Sequence, residues 1–218
     1  MLNKERTERK AVSTFIWDLD GTLMDSYPVI VHSLHKTFEQ FHVSLQKEMI
    51  LNEVISASIG AFISKMAKET GIGADTLSRV YTEISEKENF RIRPMKNVPE
   101  TLRFLADRKI PSYVFTHRGA STGFILKNTG LTDLFEDIVT GKDGFARKPD
   151  PGAIIYLIRK HGLDREGTAY VGDRTIDVEC AVNAGIRSIL YHPENSVAKV
   201  SGKETWVVRD MAELQALV

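Results

Sequence analysis

The chain is 218 residues long, 42% hydrophobic and 27% charged, which is enough apolar material for one large domain or a core with a smaller insert. Its 29 basic and 29 acidic residues cancel, which removes any global attraction to nucleic acid or an anionic membrane and leaves anion binding to local groups. The single cysteine, Cys180, excludes an internal disulfide and a thiolate metal cage.

The opening "MLNKERTERK" is charged and lacks the apolar stretch of a signal peptide. No later window approaches the roughly 18 uninterrupted apolar residues of a membrane span. The expectation is a soluble, cytoplasmic protein, a monomer or weak dimer. Six scattered histidines lack zinc-ligand spacing; His32 and His35 read as solvated residues of one helix.

Short apolar segments recur along the chain: "VSTFIW" (12–17), "PSYVFT" (111–116), "DIVTG" (137–141), "TAYVG" (168–172), "RSILY" (187–191) and "TWVV" (205–208). They suit strands of a parallel sheet covered on both faces. Between them "VPETLRFLADRK", "GASTGFILKNTG", "PGAIIYLIRKHG" and "TIDVECAVNAG" carry helical spacing, most ending at a glycine. The alternation predicts an α/β fold with a doubly wound parallel sheet. The interval from Tyr27 to about Arg93 has no convincing strand. Ile30, Leu34, Phe38 and Phe41 mark one helical face there, and Leu77, Val80 or Tyr81, and Ile84 another. A helical cap over 27–93, inserted after strand 1 into a core of 1–26 and 94–218, would stand over the crevice where open α/β sheets bind ligands.

Strand 1 runs into "DLDGT", where Asp18 and Asp20 share one side of the chain. Burying two like charges costs several kcal/mol unless a cation, a proton or strong donors compensate. A simple Asp-Gly turn is one reading. An EF-hand loop fails, because its first and twelfth ligands would be Ile16 and Tyr27. The third reading is a divalent cation at the sheet edge, and it needs more acid. "YVGDRTIDVECAVNAG" supplies Asp173 and Asp177, which read equally well as an N-cap and a first-turn acid. Thr116, ending "YVFT", offers a hydroxyl and following N–H groups to an anion, or a helix cap. Lys148 precedes Pro149 in "ARKPDPG" and alone would pass for a surface lysine.

Together and in this order, Asp18-Leu19-Asp20-Gly21-Thr22, Thr116, Lys148 and Gly172-Asp173 with Asp177 resemble the motifs of the haloacid dehalogenase superfamily, over about Phe15 to Tyr191. "NVPETLRFL" and "DVECAVNAG" look like its phosphoglycolate-phosphatase-type branch. The resemblance implies a magnesium-dependent phosphatase of a small phosphorylated metabolite. Asp18 would attack phosphorus, and Asp20 would donate and then accept a proton, with a carboxyl raised toward neutrality by crowding. Mg²⁺ would be held by Asp18, Asp173 and the backbone carbonyl of Asp20, with Asp177 behind them. Thr116, the N–H of His117, and Lys148 would bind the phosphoryl group.

Arg118 stands where relatives often carry a lysine; it is a further phosphate ligand or a solvent-facing helix-start residue. "SASIGAF" (56–62) breaks the helical pattern, placing Ser58, Gly60 and Lys65 near the leaving group unless it merely connects two helices. Cys180 reads as packing. The alternatives are a phosphosugar mutase, which Gly172 disfavours, and a non-enzymatic metabolite-binding relative, which would be expected to have lost one of these groups.

Overall fold

A computed structural model describes residues 10–194 and 196–218. The charged opening, residues 1–9, lies outside the described residues. Six parallel strands form the main sheet in the order β5-β4-β1-β6-β7-β8. They are β1 (Thr14–Trp17), β4 (Ser112–Phe115), β5 (Asp137–Val139), β6 (Thr168–Gly172), β7 (Arg187–Tyr191) and β8 (Trp206–Val208). The central strand β1 lies between β4 and β6, with Phe15 beside Ser112 and Ala169. Four strands are shorter than their sequence segments, whose remaining residues are mostly irregular backbone outside the ladder.

Period-two alternation explains the layering. Phe15 and Trp17 join one apolar cluster with Val98, Leu102 and Leu105 of helix α5 (Val98–Asp107) and Ile125 and Leu126 of α6 (Ser121–Asn128). Ile16 joins the opposite cluster, with Ile154 and Leu157 of α7 (Gly152–His161) and Cys180 and Ala181 of α8 (Thr175–Ala184). Each fully buried Leu, Ile or Phe contributes about 1.5–3 kcal/mol, so both faces are needed to hold the central strands. Gly162 and Gly185, at φ +64° and +68°, end α7 and α8 in left-handed conformations.

Between β1 and α5 lie four helices, α1 (Tyr27–Glu39), α2 (Lys47–Ser56), α3 (Ile59–Thr70) and α4 (Ala74–Glu88). They share a separate apolar cluster that includes Ile30, Leu34, Phe38, Val54, Phe62 and Leu77. Phe38 meets Phe62 edge-on at 5.7 Å. The interval expected to lack strands ends on one: β3 (Arg93–Pro94) pairs antiparallel with β2 (Met24–Asp25). Two residues leave no periodicity to read, and Pro94 argues against a strand in sequence. The ribbon draws the two crossings between sheet and helices together. No helix among the described residues is long and apolar enough to cross a membrane.

Candidate active site

The carboxyl edge of the sheet gathers the predicted acids because β1 and β6 are neighbours. Asp18 follows β1, donating its backbone N–H to Val171 O at 2.8 Å, and Asp173 follows β6. Lys148 Nζ reaches Asp18 Oδ1 at 2.6 Å and Asp177 Oδ1 at 2.8 Å, with no exposed side-chain surface. Asp177 Oδ2 accepts the backbone N–H of Arg174 at 3.0 Å. Asp173 has neutral donors instead: Thr22 Oγ1 at 3.1 Å and the Tyr27 hydroxyl at 2.7 Å. Glycine is required at 172 by close approach, since a Cβ there would sit 2.3 Å from Asp177 Cβ.

Burial drives the electrostatics. It pushes Asp18 up to about 6, against the pull of Lys148 and with help from the Asp177 charge. It pushes Asp173 up to about 7, reinforced by Asp177 and Asp18. Burial would raise Asp177 too, but Lys148 and Arg174 outweigh it and hold that carboxyl below the usual range. Asp18, Asp173 and Asp177 offer ligand oxygens all within 4.8 Å of one another, and all three are buried. Two carboxyls resisting ionisation beside a third, with only oxygen donors, fit a small hard dication. Asp177, with both oxygens engaged, suits a supporting place.

Asp20 corrects the expectation. Its carboxyl is held below the usual range, not raised: burial pushes upward, and the Arg118 guanidinium outweighs it. Arg118 Nε donates to both Asp20 oxygens at 2.9 and 3.1 Å, and Nη2 lies 2.8 Å from Oδ1. Arg118 also reaches Asn89 Oδ1 at 3.2 Å and Ser121 Oγ at 3.3 Å, and its side chain is 8% exposed, so it does not face solvent. The crowding expected between Asp18 and Asp20 falls instead on Asp18 and Asp173.

Thr116 is buried, and its hydroxyl accepts the Arg118 N–H at 3.0 Å, a turn-capping contact. His117 Nε2 accepts the Lys148 backbone N–H at 2.9 Å. Burial, Lys148 and Arg147 push this imidazole down to about 3, so it is neutral and serves as an acceptor that holds the lysine's loop. Ser58 lies between α2 and α3, and its hydroxyl accepts the Ala61 N–H at 3.1 Å. With Gly60 it borders a cavity of about 450 Å³ between helices and sheet, whose wall also holds Asp18, Asp20, Thr116, His117 and Arg118. Lys65 is not on that wall; it pairs with Glu53 at 2.5 Å on the surface. Cys180 is buried, with its thiol pushed up to about 12 by burial, as a packing residue would be.

Among the wall residues that the sequence reading did not assign to the site are Tyr27, Tyr81, Asn89 and Arg174. Arg174 had a signal, lying inside "GDRTID" between two of the acids. Asn89 is a buried amide just past α4, and nothing in the sequence marks it as the partner of Arg118.

A doubly wound sheet with this acid-and-lysine edge beneath a helical layer places its chemistry where open α/β enzymes bind ligands, and the class is that of hydrolases. The membership is specific: the family model described as haloacid dehalogenase-like hydrolase matches residues 15–191, and the chain belongs to that family. Pyrophosphatase PpaX of Bacillus pumilus is 25% identical over 210 residues, covering 95% of this chain and 96% of that protein. A phosphoglycolate phosphatase of Haemophilus influenzae is 26% identical over 224 residues, covering 93% and 96%. Among solved structures, a predicted phosphoglycolate phosphatase from Haemophilus somnus superposes with a TM-score of 0.82 at 22% identity, covering 94% of this chain and 97% of that one. CbbY from Rhodobacter sphaeroides in complex with phosphate gives 0.79 at 16% identity, covering 93% and 96%.

Proposed function

We propose that the protein is a Mg²⁺-dependent phosphatase of a small phosphorylated metabolite, working through an aspartyl phosphate on Asp18. The observation that carries the reading is the Asp18–Lys148–Asp177 chain at 2.6 and 2.8 Å, with Asp173 beside it, and Asp18 in the wall of a metabolite-sized cavity. The phosphatase names of relatives that span nearly the whole chain support the reaction class.

In this reading an Asp18 oxygen forms the bond to phosphorus as the ester P–O bond breaks. Asp20 gives the leaving oxygen its proton. Water then attacks the aspartyl phosphate, Asp20 takes a proton from it, and the Asp18–phosphorus bond breaks to release phosphate. Asp20 as found, ionised against Arg118, suits the second half. The first half requires the guanidinium to swing from Asp20 onto the phosphoryl oxygens, leaving Asp20 free to carry a proton. Thr116 and the His117 N–H hold the phosphoryl group, and Lys148 offsets the charge of the nucleophile. Mg²⁺, held by Asp18, Asp173 and the Asp20 carbonyl with Asp177 behind them, would offset the charge that gathers on phosphorus-bound oxygen.

The division proposed is a cap over 27–93 on a core of 1–26 and 94–218, with Ser58 and Gly60 facing the leaving group. The described cavity-wall residues from 27–93 include no basic side chain, which favours hydrolysis over the mutase reading and its grip on a second phosphate. The test is turnover of an aryl phosphate with Mg²⁺. Asp18→Asn is expected to lower kcat by at least about 10³-fold with the fold retained. Turnover unchanged in that variant would refute the mechanism.

A further inference from the structure

The tyrosine that opens α1 has no role in the steps above, yet it touches the most electrostatically exposed acid of the site. The Tyr27 hydroxyl donates to Asp173 Oδ2 at 2.7 Å, while Thr22 holds the other oxygen at 3.1 Å. The contact is built into the backbone. Gly21 sits at φ +82°, and a Cβ there would lie 2.4 Å from both Asp173 Oδ2 and Tyr27 Cε2, so the absence of a side chain gives ring and carboxylate their shared seat. Tyr27 also borders two cavities: the 450 Å³ cleft with Asp18, and a second of about 760 Å³ whose wall includes Asp173. Its ring therefore forms part of the partition between them, with Asp173 on the far side.

Asp173 is the one member of the three-acid cluster with no ion-pair partner among the described residues. Its rotamer is fixed by two neutral hydroxyls, one of them on the first residue of the helical layer. Tyr27 packs against the apolar cluster of α1 to α4, so its phenol links that layer to the carboxylate. Groups that orient a metal-binding carboxylate typically contribute 10- to 100-fold to metal affinity.

We propose that Tyr27 is a positioning residue for the cation site: it fixes Asp173 for Mg²⁺ and couples cation affinity to the seating of the helical cap. The inference rests on the phosphatase reading only for the identity of the ion. The experiment is direct Mg²⁺ titration by calorimetry, without substrate, of the wild type and Tyr27→Phe, which keeps the ring on Gly21. Tyr27→Phe is expected to raise the Mg²⁺ Kd at least 10-fold. An unchanged or tighter Kd overturns the proposal, including when the variant merely melts earlier.

The wild type gives a second reading independent of the variant's folding. With ¹³C-labelled tyrosine, one ring signal is expected to shift with the same Kd as the calorimetric titration, and none shifting overturns the proposal. Mg²⁺ binding that depends on Tyr27 in a protein inactive on phosphate esters would refute the phosphatase reading and leave this one standing.

Discussion

Replacing Lys148 by methionine keeps the aliphatic stem and removes the ammonium shared by Asp18 and Asp177. The side chain has no exposed surface, and the contacts are 2.6 and 2.8 Å. At an effective dielectric constant of about 20 each pair is worth roughly 6 kcal/mol of gross attraction, much of it offset by the desolvation of three buried charges. The net loss on deleting one partner of a buried pair is about 3–5 kcal/mol. That loss depends on pH. Without the lysine both carboxyls bind protons more tightly in the folded than in the unfolded protein, so stability falls as pH rises from about 4. Asp18, already raised to about 6 in the wild type, is largely protonated at pH 5 and needs little compensation there. Urea unfolding in EDTA is therefore expected to show the variant about 3–5 kcal/mol less stable at pH 8, and less than half as much at pH 5. A deficit under about 1 kcal/mol at pH 8, or one equal at both pH values, would refute the assignment of Lys148 as the counter-charge of both acids.

The metal-free wild type carries its own pH signature. With Asp18 near 6 and Asp173 near 7, the folded protein holds more protons than the unfolded chain between about pH 4 and 7, so stability declines across that window. Asp20 and Asp177, both lowered, act in the opposite sense only below about pH 4, whereas His117, pushed down to about 3, acts in that sense up to about pH 6.5 and offsets about half of the decline. The melting temperature in EDTA is expected to show a net drop of about 4–8 °C from pH 5 to 8 and to be restored by millimolar Mg²⁺; a rise over the same range would contradict the electrostatics. Gly172→Ala drives a methyl to within 2.3 Å of Asp177 Cβ. About 1–3 kcal/mol of destabilisation is expected in thermal melts, with weaker Mg²⁺ binding as Asp177 shifts, and a melt within about 1 °C of wild type would show that the backbone yields freely.

The core was legible because its signals are local and periodic. "TFIW" and "TAYVG" are buried on both faces, as their unbroken apolar runs require, and each ends at an acid that adjacency in the sheet brings together. The pairing of Asp18 and Asp20 pointed to the sheet edge where the acids gather, but its electrostatic consequence was not legible. The deciding group, Arg118, lies 98 residues from Asp20 and reaches it only through the turn after β4. Lys65 shows the same limit from the other side. It belongs to the loop-and-helix segment that borders the cavity, yet its own helix face turns it to Glu53. The α2–α3 break was visible as a lost period, whereas the two-residue ribbon β2–β3 has no period to lose.

The four aspartates divide by who answers their charge. Asp20 is answered by Arg118 and Asp177 by Lys148 with the Arg174 N–H, and both stay below the usual carboxylate range. Asp18 shares its lysine with Asp177, and Asp173 has only hydroxyls; both are raised. Hydroxyl donors orient a carboxylate without neutralising it, so they fix geometry for a charge that arrives from outside the chain. The under-compensated pair, Asp18 with half a lysine and Asp173 with none, is the same pair that the motif resemblance assigns to Mg²⁺. The partners of each acid thus separate the two carboxylates whose charge the chain's own cations answer from the two whose charge they leave under-answered, the division on which the proposed roles in proton transfer and ion binding rest and one that the spacing of "DLDGT" and "GDRTID" does not contain.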